Sequence, residues 1–254
     1  MKIGIFGDSF AARASLFTAE DQTFWCDIIG TKHEVENFSK AGTNLYWSYN
    51  LFKEHYRDFD TIIFVVTGFG RLYTPNAKNT HVKHAFNMSQ IEHLLACGGT
   101  PGTGEAFSDH DLTILKTLRD YKLYVEDDMQ SALFHDMLLD RIKSLVPNVI
   151  LIPSWGGCLD PLKEVHHIDV NYNSLLDISR LDLDYCGISF NSVKIDKRFA
   201  HLSPTNNMIL GKDLINYIES DRKKPYSIDL SMYKSPYPTP KDIVIKQYFE
   251  VGDY

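Results

Sequence analysis

The chain has 254 residues, of which 44% are apolar and 23% are charged, and its formal net charge is -7. This composition fits one globular α/β domain, or at most two small ones, and excludes disordered, collagen-like and coiled-coil proteins. Nucleic acid is not an expected partner, because an acidic chain without a dense basic patch is repelled by phosphate backbones. The longest apolar stretch, Thr61 to Phe69, is far shorter than the roughly 20 residues that span a bilayer, so no membrane partner is expected.

The amino terminus and the cysteines predict where the protein is located. Met1 to Phe6 has the pattern of a buried strand and lacks the features of a signal peptide. The cysteines form no C-x-x-C pair and are typical of reduced thiols; they are Cys26, Cys97, Cys158 and Cys186. We therefore expect a cytoplasmic protein.

Short apolar runs rich in β-branched residues, each followed within a few residues by Gly or Pro, predict strands of a parallel sheet. In chain order these runs are Lys2 to Phe6, Glu34 to Phe38, Thr61 to Thr67 and Asn148 to Pro153, with a weaker fifth run around Tyr185 to Phe190.

Helical periodicity fills the segments between these strands. It extends from Asn44 to Tyr56, and again from Ser108 to Leu145, where it predicts one long helix or two. A last helix begins at Pro204 with Ser203 as its N-cap. Strands that alternate with helices predict an α/β fold, a doubly wound parallel sheet with helices on both faces.

Two segments depart from this alternation. Residues 1–220 are interpreted as one α/β domain that carries a largely helical insertion at about 71–146, which could cover the carboxyl edge of the sheet. Residues 221–254 contain several prolines and are predicted to form an extended tail that wraps the domain or contacts a partner.

The residues that follow the strands carry the chemistry, because ligands of open parallel sheets bind at the carboxyl ends of the strands. Ser9 follows the first strand after a glycine, and Gly42 follows the second. Asp196 and His201 share the loop before the last helix. A serine becomes a good nucleophile when a histidine takes its proton and a carboxylate orients that histidine, so these side chains supply the three roles.

Three blocks and one strand, in this order, resemble those of the SGNH hydrolases, also called the GDSL esterase and lipase superfamily. The first block is Ile3 to Ser9 and the second is Asn37 to Gly42. The strand Val149 to Pro153 resembles the one that precedes the family's final block, and His201 to Pro204 resembles that final block. The resemblance covers about half of the chain.

The resemblance implies a three-layer α/β/α sandwich of flavodoxin-like type that hydrolyses esters through an acyl-enzyme, without a metal or other cofactor. It implies that Ser9 is the nucleophile, that His201 is the general base, and that the backbone N–H groups of Ser9 and Gly42 hold the oxyanion. Asp196 is assigned as the acid that orients His201.

The sequence departs from the family pattern in two places. Gly70 stands where the family has an asparagine that donates to the oxyanion, and Asn44 or Arg71 could replace that donor. Arg198 occupies the usual position of the acid, three residues before the histidine, whereas Asp196 lies five residues before it.

Two residues near the strand ends are candidates for substrate binding. Trp155 follows the fourth strand and could form a pocket wall. Arg71 could bind a carboxylate or phosphate of the substrate, or pair with Asp8. The many aromatic residues suit sugar stacking, so a small acyl group on a carbohydrate is the favoured substrate.

Other functions stay open or are disfavoured. A protein that keeps the fold but has lost catalysis, and binds a partner through the strand edge and the tail, is the alternative; a thioester or phosphoester substrate is a third possibility. The glycine-rich loop from Cys97 to Ala106 lacks the lysine of a P-loop. His81, His84, His93 and Cys97 match no standard zinc site, so no metal is expected.

Overall fold

The fold is known from a computed structural model of the chain. It describes residues 1–13, 24–68, 71–74, 76–78, 85–86, 88–99, 106–156, 159, 173–179 and 202–233. The weaker fifth strand predicted around Tyr185 to Phe190 lies outside these residues.

The described elements alternate between strands and helices along most of the chain. The strands are β1 (Lys2–Phe6), β2 (Glu34–Asn37), β3 (Thr61–Val66), β4 (Leu72–Tyr73), β5 (Ala85–Phe86) and β6 (Ile150–Pro153). The helices are α1 (Trp25–Ile29), α2 (Leu45–His55), α3 (Met88–Cys97), α4 (Asp109–Tyr124), α5 (Asp128–Leu145) and α6 (Pro204–Glu219). Residues 175–179 are also helical, and 3₁₀ turns lie at Tyr56–Asp58 and Leu230–Met232.

Four of the described strands form a parallel sheet in the order β2-β1-β3-β6. In the register of the centre, Ile5 of β1 lies between Asn37 of β2 and Ile63 of β3. All six residues of β3 are buried, which explains its uninterrupted apolar sequence, because a central parallel strand is covered on both faces. The short strands β4 and β5 pair antiparallel in a separate ribbon.

Helices cover both faces of the sheet and give the α/β/α sandwich that the sequence predicts. On one face α1 and α6 enclose a core that includes Ile3, Ile63 and Leu214. On the other face α2 and α5 enclose a second core that includes Phe52 and Phe64. The spatial order of the strands is that of a flavodoxin-like sheet.

Helix caps place the ends of the long helices. Ser108 caps α4 by accepting a hydrogen bond from the Asp111 N–H, and Asp127 caps α5 by accepting from the Met129 N–H. The apolar pattern between Ser108 and Leu145 therefore forms two helices, separated at residues 125–127. Ser203 caps α6 as predicted, with its hydroxyl oxygen 3.2 Å from the Asn206 nitrogen.

The predicted insertion contains helices of two kinds. α5 packs directly on the sheet through Leu138, Leu139 and Ile142, so it forms part of the sandwich. α3 and α4 pack on each other around Ile91 and Leu115 in a separate cluster. The domain boundaries predicted from the sequence stay predictions, but the helices within the insertion divide in this way.

The first part of the predicted tail packs against the domain. Tyr226, Ile228 and Tyr233 are buried in the same core as α1 and α6. Residues 234–254 lie outside the described part of the chain. In the part that is described, no helix has the length and apolar character required to cross a membrane.

Candidate active site

The candidate site lies where the strand order reverses, at the carboxyl ends of β1 and β3. β2 lies on one side of β1, and β3 followed by β6 lies on the other side. Loops leave such a point in opposite directions and open a crevice, which is where ligands of flavodoxin-like sheets bind. Ser9 follows β1 and Gly68 follows β3 at this point.

Ser9 sits in a tight turn that is fixed by Asp8. The Asp8 carbonyl oxygen accepts from the N–H groups of Ala11 and Ala12, at 3.1 and 3.0 Å. The Asp8 carboxylate accepts from the Phe10 N–H at 3.0 Å. Asp8 is buried, whereas Ser9 is half-buried, so the aspartate holds the turn and the serine lies nearer to the surface.

Gly7 lets this turn approach β3 closely. Its φ is +156°, and a Cβ at this position would lie 2.6 Å from the Val65 Cβ and 2.9 Å from the Val65 carbonyl oxygen. Any larger residue would therefore push the first strand's end away from β3. The glycine of the Gly-Asp-Ser motif is thus required by packing at the edge of the sheet.

The loop after β2 is joined to the loop that carries Ser9. The Lys40 N–H donates to the Gly7 carbonyl oxygen at 3.1 Å. Gly42 follows with a φ of +70°, a left-handed conformation that favours glycine. The two loops whose N–H groups are predicted to hold the oxyanion are therefore fixed relative to each other at their bases.

Asn44 is the N-cap of α2, and its side chain joins two elements. Its carbonyl oxygen accepts from the Trp47 N–H at 3.0 Å, and its amide nitrogen donates to the Arg71 carbonyl oxygen at 3.2 Å. An amide nitrogen carries two hydrogens, so one N–H is left for a ligand. Whether Asn44 donates to an oxyanion stays a prediction.

Arg71 and Trp155, the two predicted substrate-binding residues, contact each other. The Arg71 guanidinium carbon lies 5.4 Å from the centre of the Trp155 ring, a cation–π contact. The alternative pairing of Arg71 with Asp8 is not observed between these two described residues. Trp155 also packs edge-on against Phe10 at 6.2 Å, so its ring connects the Ser9 turn with Arg71.

A cavity of about 480 Å³ opens beside Arg71, between α2, α5 and the loop after β3. This volume is in the range of small-molecule sites. Its lining combines aromatic and polar side chains with a few aliphatic ones: Asn44, Leu45, Tyr46, Gly68, Arg71, Leu72, Tyr121, Glu126, Gln130, Ser131, Phe134, His135 and Leu138.

His135 is a buried histidine in the wall of this cavity. Its side chain is 4% exposed, and its Nε2 lies 3.1 Å from the Thr67 carbonyl oxygen at the end of β3. Since a carbonyl oxygen only accepts, Nε2 carries a proton in this arrangement. Burial lowers the pKa of His135, and the Thr67 carbonyl and Asp136 oppose that effect to a smaller extent.

The carboxylate in the cavity wall is already paired. Glu126 Oε2 lies 2.6 Å from Lys122 Nζ, and both side chains are 7% exposed. Such a close pair offsets the negative charge of Glu126 where it faces the cavity.

In the described part of the chain, some of the buried polar atoms that make no hydrogen bond lie at the carboxyl edge of the sheet, one or more after each of the four parallel strands: Asp8 Oδ2, Ser39 Oγ, Thr67 Oγ1, Ser154 Oγ and Trp155 Nε1. Others lie elsewhere in the fold, among them His33 Nε2, Ser48 Oγ and Tyr233 Oη. A buried polar atom without a partner costs free energy, so most such atoms in proteins are satisfied.

The predicted base and acid, His201 and Asp196, lie outside the described residues. Their assignments therefore stay predictions. The chain is well fixed directly after them, because the Asn207 amide donates to the carbonyl oxygens of Leu202 and Ser203, at 3.0 and 3.1 Å. Asn207 also accepts from the Trp25 N–H at 3.2 Å, which joins the start of α6 to α1.

Among the described residues, no group of three or more His, Cys, Asp or Glu side chains is placed to hold a metal ion. His93 Nε2 and Cys97 Sγ lie 3.6 Å apart on α3. His81 and His84, the other members of the zinc set considered above, lie outside the described residues, as does most of the glycine-rich loop that follows Cys97.

The cavity wall that α5 contributes was not predicted from the sequence. The signal was present, because His135 falls on the same helical face as Leu138, Leu139 and Ile142, all of them buried. A histidine on the apolar face of a helix is a candidate for a specific hydrogen bond or for a site.

Comparisons with known proteins give little direct similarity. No family model matches the chain, and no curated protein matches it. Among solved structures, the chain is similar to a "putative lipolytic protein of G-D-S-L family" from Desulfitobacterium hafniense DCB-2. The identity is 15%, the match covers 83% of this chain and 95% of that chain, and the TM-score is 0.34.

Proposed function

We propose that this protein is a serine-dependent ester hydrolase of the SGNH or GDSL type. The observation that carries the proposal is the position of Ser9, in a turn held by Asp8 at the switch point of the sheet, next to the loop of Gly42. The hydrogen bond from Lys40 to Gly7 supports it, because it fixes the serine loop and the glycine loop together.

In the proposed mechanism Ser9 Oγ attacks the ester carbonyl while His201 takes the serine proton. Collapse of the tetrahedral intermediate breaks the bond to the alcohol, which leaves with that proton, and an acyl-enzyme forms on Ser9. Water, activated by His201, then releases the acid and restores the serine. Asp196 orients His201 in this proposal.

The backbone N–H groups of Ser9 and Gly42 are the proposed oxyanion donors. Gly70 provides no side-chain donor at the third position, and one such donor is worth about 3 kcal/mol of transition-state stabilisation. The second N–H of Asn44 is the proposed replacement, since its other N–H is taken by the Arg71 carbonyl oxygen. The proposed substrate is a small acyl ester of a carbohydrate.

A second candidate function is a binding protein that keeps this fold without catalysis. It is favoured by the two hydrogen bonds of the Asn44 side chain, one that caps α2 and one to the Arg71 carbonyl oxygen, because both stabilise the fold and neither requires catalysis. In that case the cavity beside Arg71 would bind a ligand that the protein does not alter.

Labelling with a fluorophosphonate probe, followed by intact mass measurement, tests the proposal. Such probes react with activated serines whatever the natural substrate, so we expect one adduct on the wild type. Ser9→Ala and His201→Ala should both abolish it. Ser39→Ala is the matched control, because Ser39 follows β2 at the same edge and has no proposed part in the chemistry.

Each result separates the two functions. Loss of the adduct in Ser9→Ala and His201→Ala, with retention in Ser39→Ala, supports the hydrolase. A folded wild type that stays unlabelled, or an adduct that survives Ser9→Ala, rejects it and favours the binding protein.

A further inference from the structure

We propose that the cavity beside Arg71 recognises an anionic group, a carboxylate or a phosphate, on the sugar part of the substrate. The inference rests on the proposed function, since it names the class of ester that the same site would take. It is carried by the charges that line the cavity.

The Arg71 guanidinium is available for an anion. Its contact with Trp155, 5.4 Å from the ring centre, holds it over an aromatic face, and within the described part of the chain it makes no ion pair with a carboxylate. A stacked guanidinium keeps its planar set of donors free at the edge, which fits a carboxylate or phosphate in a bidentate manner. The stacking also fixes the side chain before a ligand arrives.

The amino end of α2 adds positive potential to the same cavity. Leu45 and Tyr46, the first two residues of this 11-residue helix, line the cavity, and the first turn contains no acidic residue. The backbone N–H groups of a first helical turn have no partner within the helix, and the helix dipole favours anions there. Asn44 already caps the Trp47 N–H, which leaves the first two N–H groups for a ligand.

Negative charge in the described lining is offset. Glu126 is the acidic side chain in this lining, and its ion pair with Lys122 at 2.6 Å is nearly inaccessible to solvent. The chain as a whole has a net charge of -7, so the charge of a cavity with an unpaired arginine and a helix amino terminus differs in sign from that of the chain.

The rim of the cavity suits a sugar ring. Tyr46 and Phe134 lie 6.0 Å apart between ring centres and are 50% and 49% exposed. Exposed aromatic faces beside a planar polar group, here Gln130, are well suited to stack on a sugar and bind its hydroxyls. An ester of an acidic or phosphorylated sugar would place its anionic group near Arg71 and its sugar ring at the aromatic rim.

Isothermal titration calorimetry with three probes that lack an ester tests the charge preference independently of catalysis. The probes are methyl β-D-glucuronide, glucose 6-phosphate and neutral methyl β-D-glucoside. We expect the wild type to bind at least one charged probe roughly tenfold more tightly than the neutral one, since hydrogen bonds to charged groups are the stronger ones. Which charged probe binds more tightly distinguishes a carboxylate from a phosphate.

Variants then assign the preference to Arg71. Arg71→Met should remove it, and Arg71→Lys, which keeps the charge but loses the fork, should retain part of it. Arg57→Met is the matched control, because Arg57 also lies over an aromatic ring, that of Tyr56 at 5.3 Å, but in the 3₁₀ turn that precedes β3, at the opposite edge of the sheet. It should bind as the wild type does.

The results separate this inference from the proposed function. Equal binding of charged and neutral probes, no binding of any probe, or a preference that survives in folded Arg71→Met overturns the inference, even where Ser9 is labelled. A preference that depends on Arg71 in a protein whose Ser9 stays unlabelled supports the anion site and rejects only the hydrolase.

Discussion

His135 Nε2 lies 3.1 Å from the carbonyl oxygen of Thr67, and this contact joins the middle of α5 to the end of β3. The carbonyl belongs to the residue immediately before Gly68, which lines the cavity. His135 thus holds the backbone at one wall of the candidate site, although it is distant from Thr67 in the sequence.

The contact predicts a pH-dependent contribution of His135 to stability. Burial lowers the pKa of His135, so the folded protein favours the neutral ring, whereas a histidine in the unfolded chain titrates near about pH 6.5. The unfolded state therefore binds more protons as the pH falls below that value. The stability contributed by His135 is present above about pH 6.5 and is lost as the pH falls through the lowered pKa.

Urea unfolding of the wild type and His135→Leu at about pH 7.5 and about pH 5 measures this contribution. We expect the variant to be less stable by about 1–3 kcal/mol at the higher pH, because the Thr67 carbonyl loses its donor. The difference should narrow at the lower pH. His110→Leu replaces an exposed histidine of α4 and serves as the control, and a difference that widens on acidification would contradict the assignment.

Gly7→Ala should destabilise the protein and impair labelling of Ser9. The added Cβ would lie 2.6 Å from the Val65 Cβ, within the central strand, so the turn that carries Ser9 must move. Overpacking of this kind costs about 1–3 kcal/mol. The measurements are urea unfolding and the rate of fluorophosphonate labelling.

Gly156→Ala is the matched control for Gly7→Ala. Gly156 also follows a strand at this edge, two residues after Ser154, but a Cβ there would meet nothing within 4 Å. It should leave both stability and labelling close to those of the wild type. Equal effects of the two substitutions would show that the close approach of Gly7 to Val65 does not matter.

The sequence predicted the elements that local pattern determines. β1 has the predicted bounds, because its apolar run is interrupted by Gly7, and Ser203 caps α6 because a serine before a proline is a strong start signal. The division of the region from Ser108 to Leu145 into two helices was left open, since the apolar period continues on both sides of the break.

Contacts between distant segments were not predictable in the same way. Periodicity identifies the buried face of α5 but not the sheet it covers, so the contact of His135 with Thr67 and the cavity beside Arg71 appear only in the fold. Arg71 and Trp155 were both predicted at the site, but their stacking was not, because it depends on two loops meeting in space.

Asn207→Ala should cost about 2–3 kcal/mol of unfolding free energy. Its buried amide makes three hydrogen bonds, one with the Trp25 N–H and two with the carbonyl oxygens of Leu202 and Ser203. Removing it takes these partners from the Trp25 N–H and the Leu202 carbonyl oxygen, whereas the Ser203 carbonyl oxygen still accepts from the backbone N–H of residue 207. Urea unfolding measures the effect, and Asn216→Ala, an exposed asparagine of the same helix, should change the value by less than about 0.5 kcal/mol. A comparable loss in both variants would contradict this role.

Ile228→Ala tests whether the segment after α6 is part of the folded domain. Ile228 is 2% exposed and packs in the core with α1 and α6, and its carbonyl oxygen accepts from the Asn173 amide at 2.8 Å. A cavity at such a position costs about 2–5 kcal/mol, so urea unfolding should shift by that amount. Met232→Ala, in the same segment but 42% exposed, should have an effect below about 0.5 kcal/mol. A small effect of Ile228→Ala would show that residues 221–233 pack weakly on the domain, and truncation after Ser220 could then test a partner-binding role. A large effect means that this truncation would unfold the domain, so it could not report on a partner.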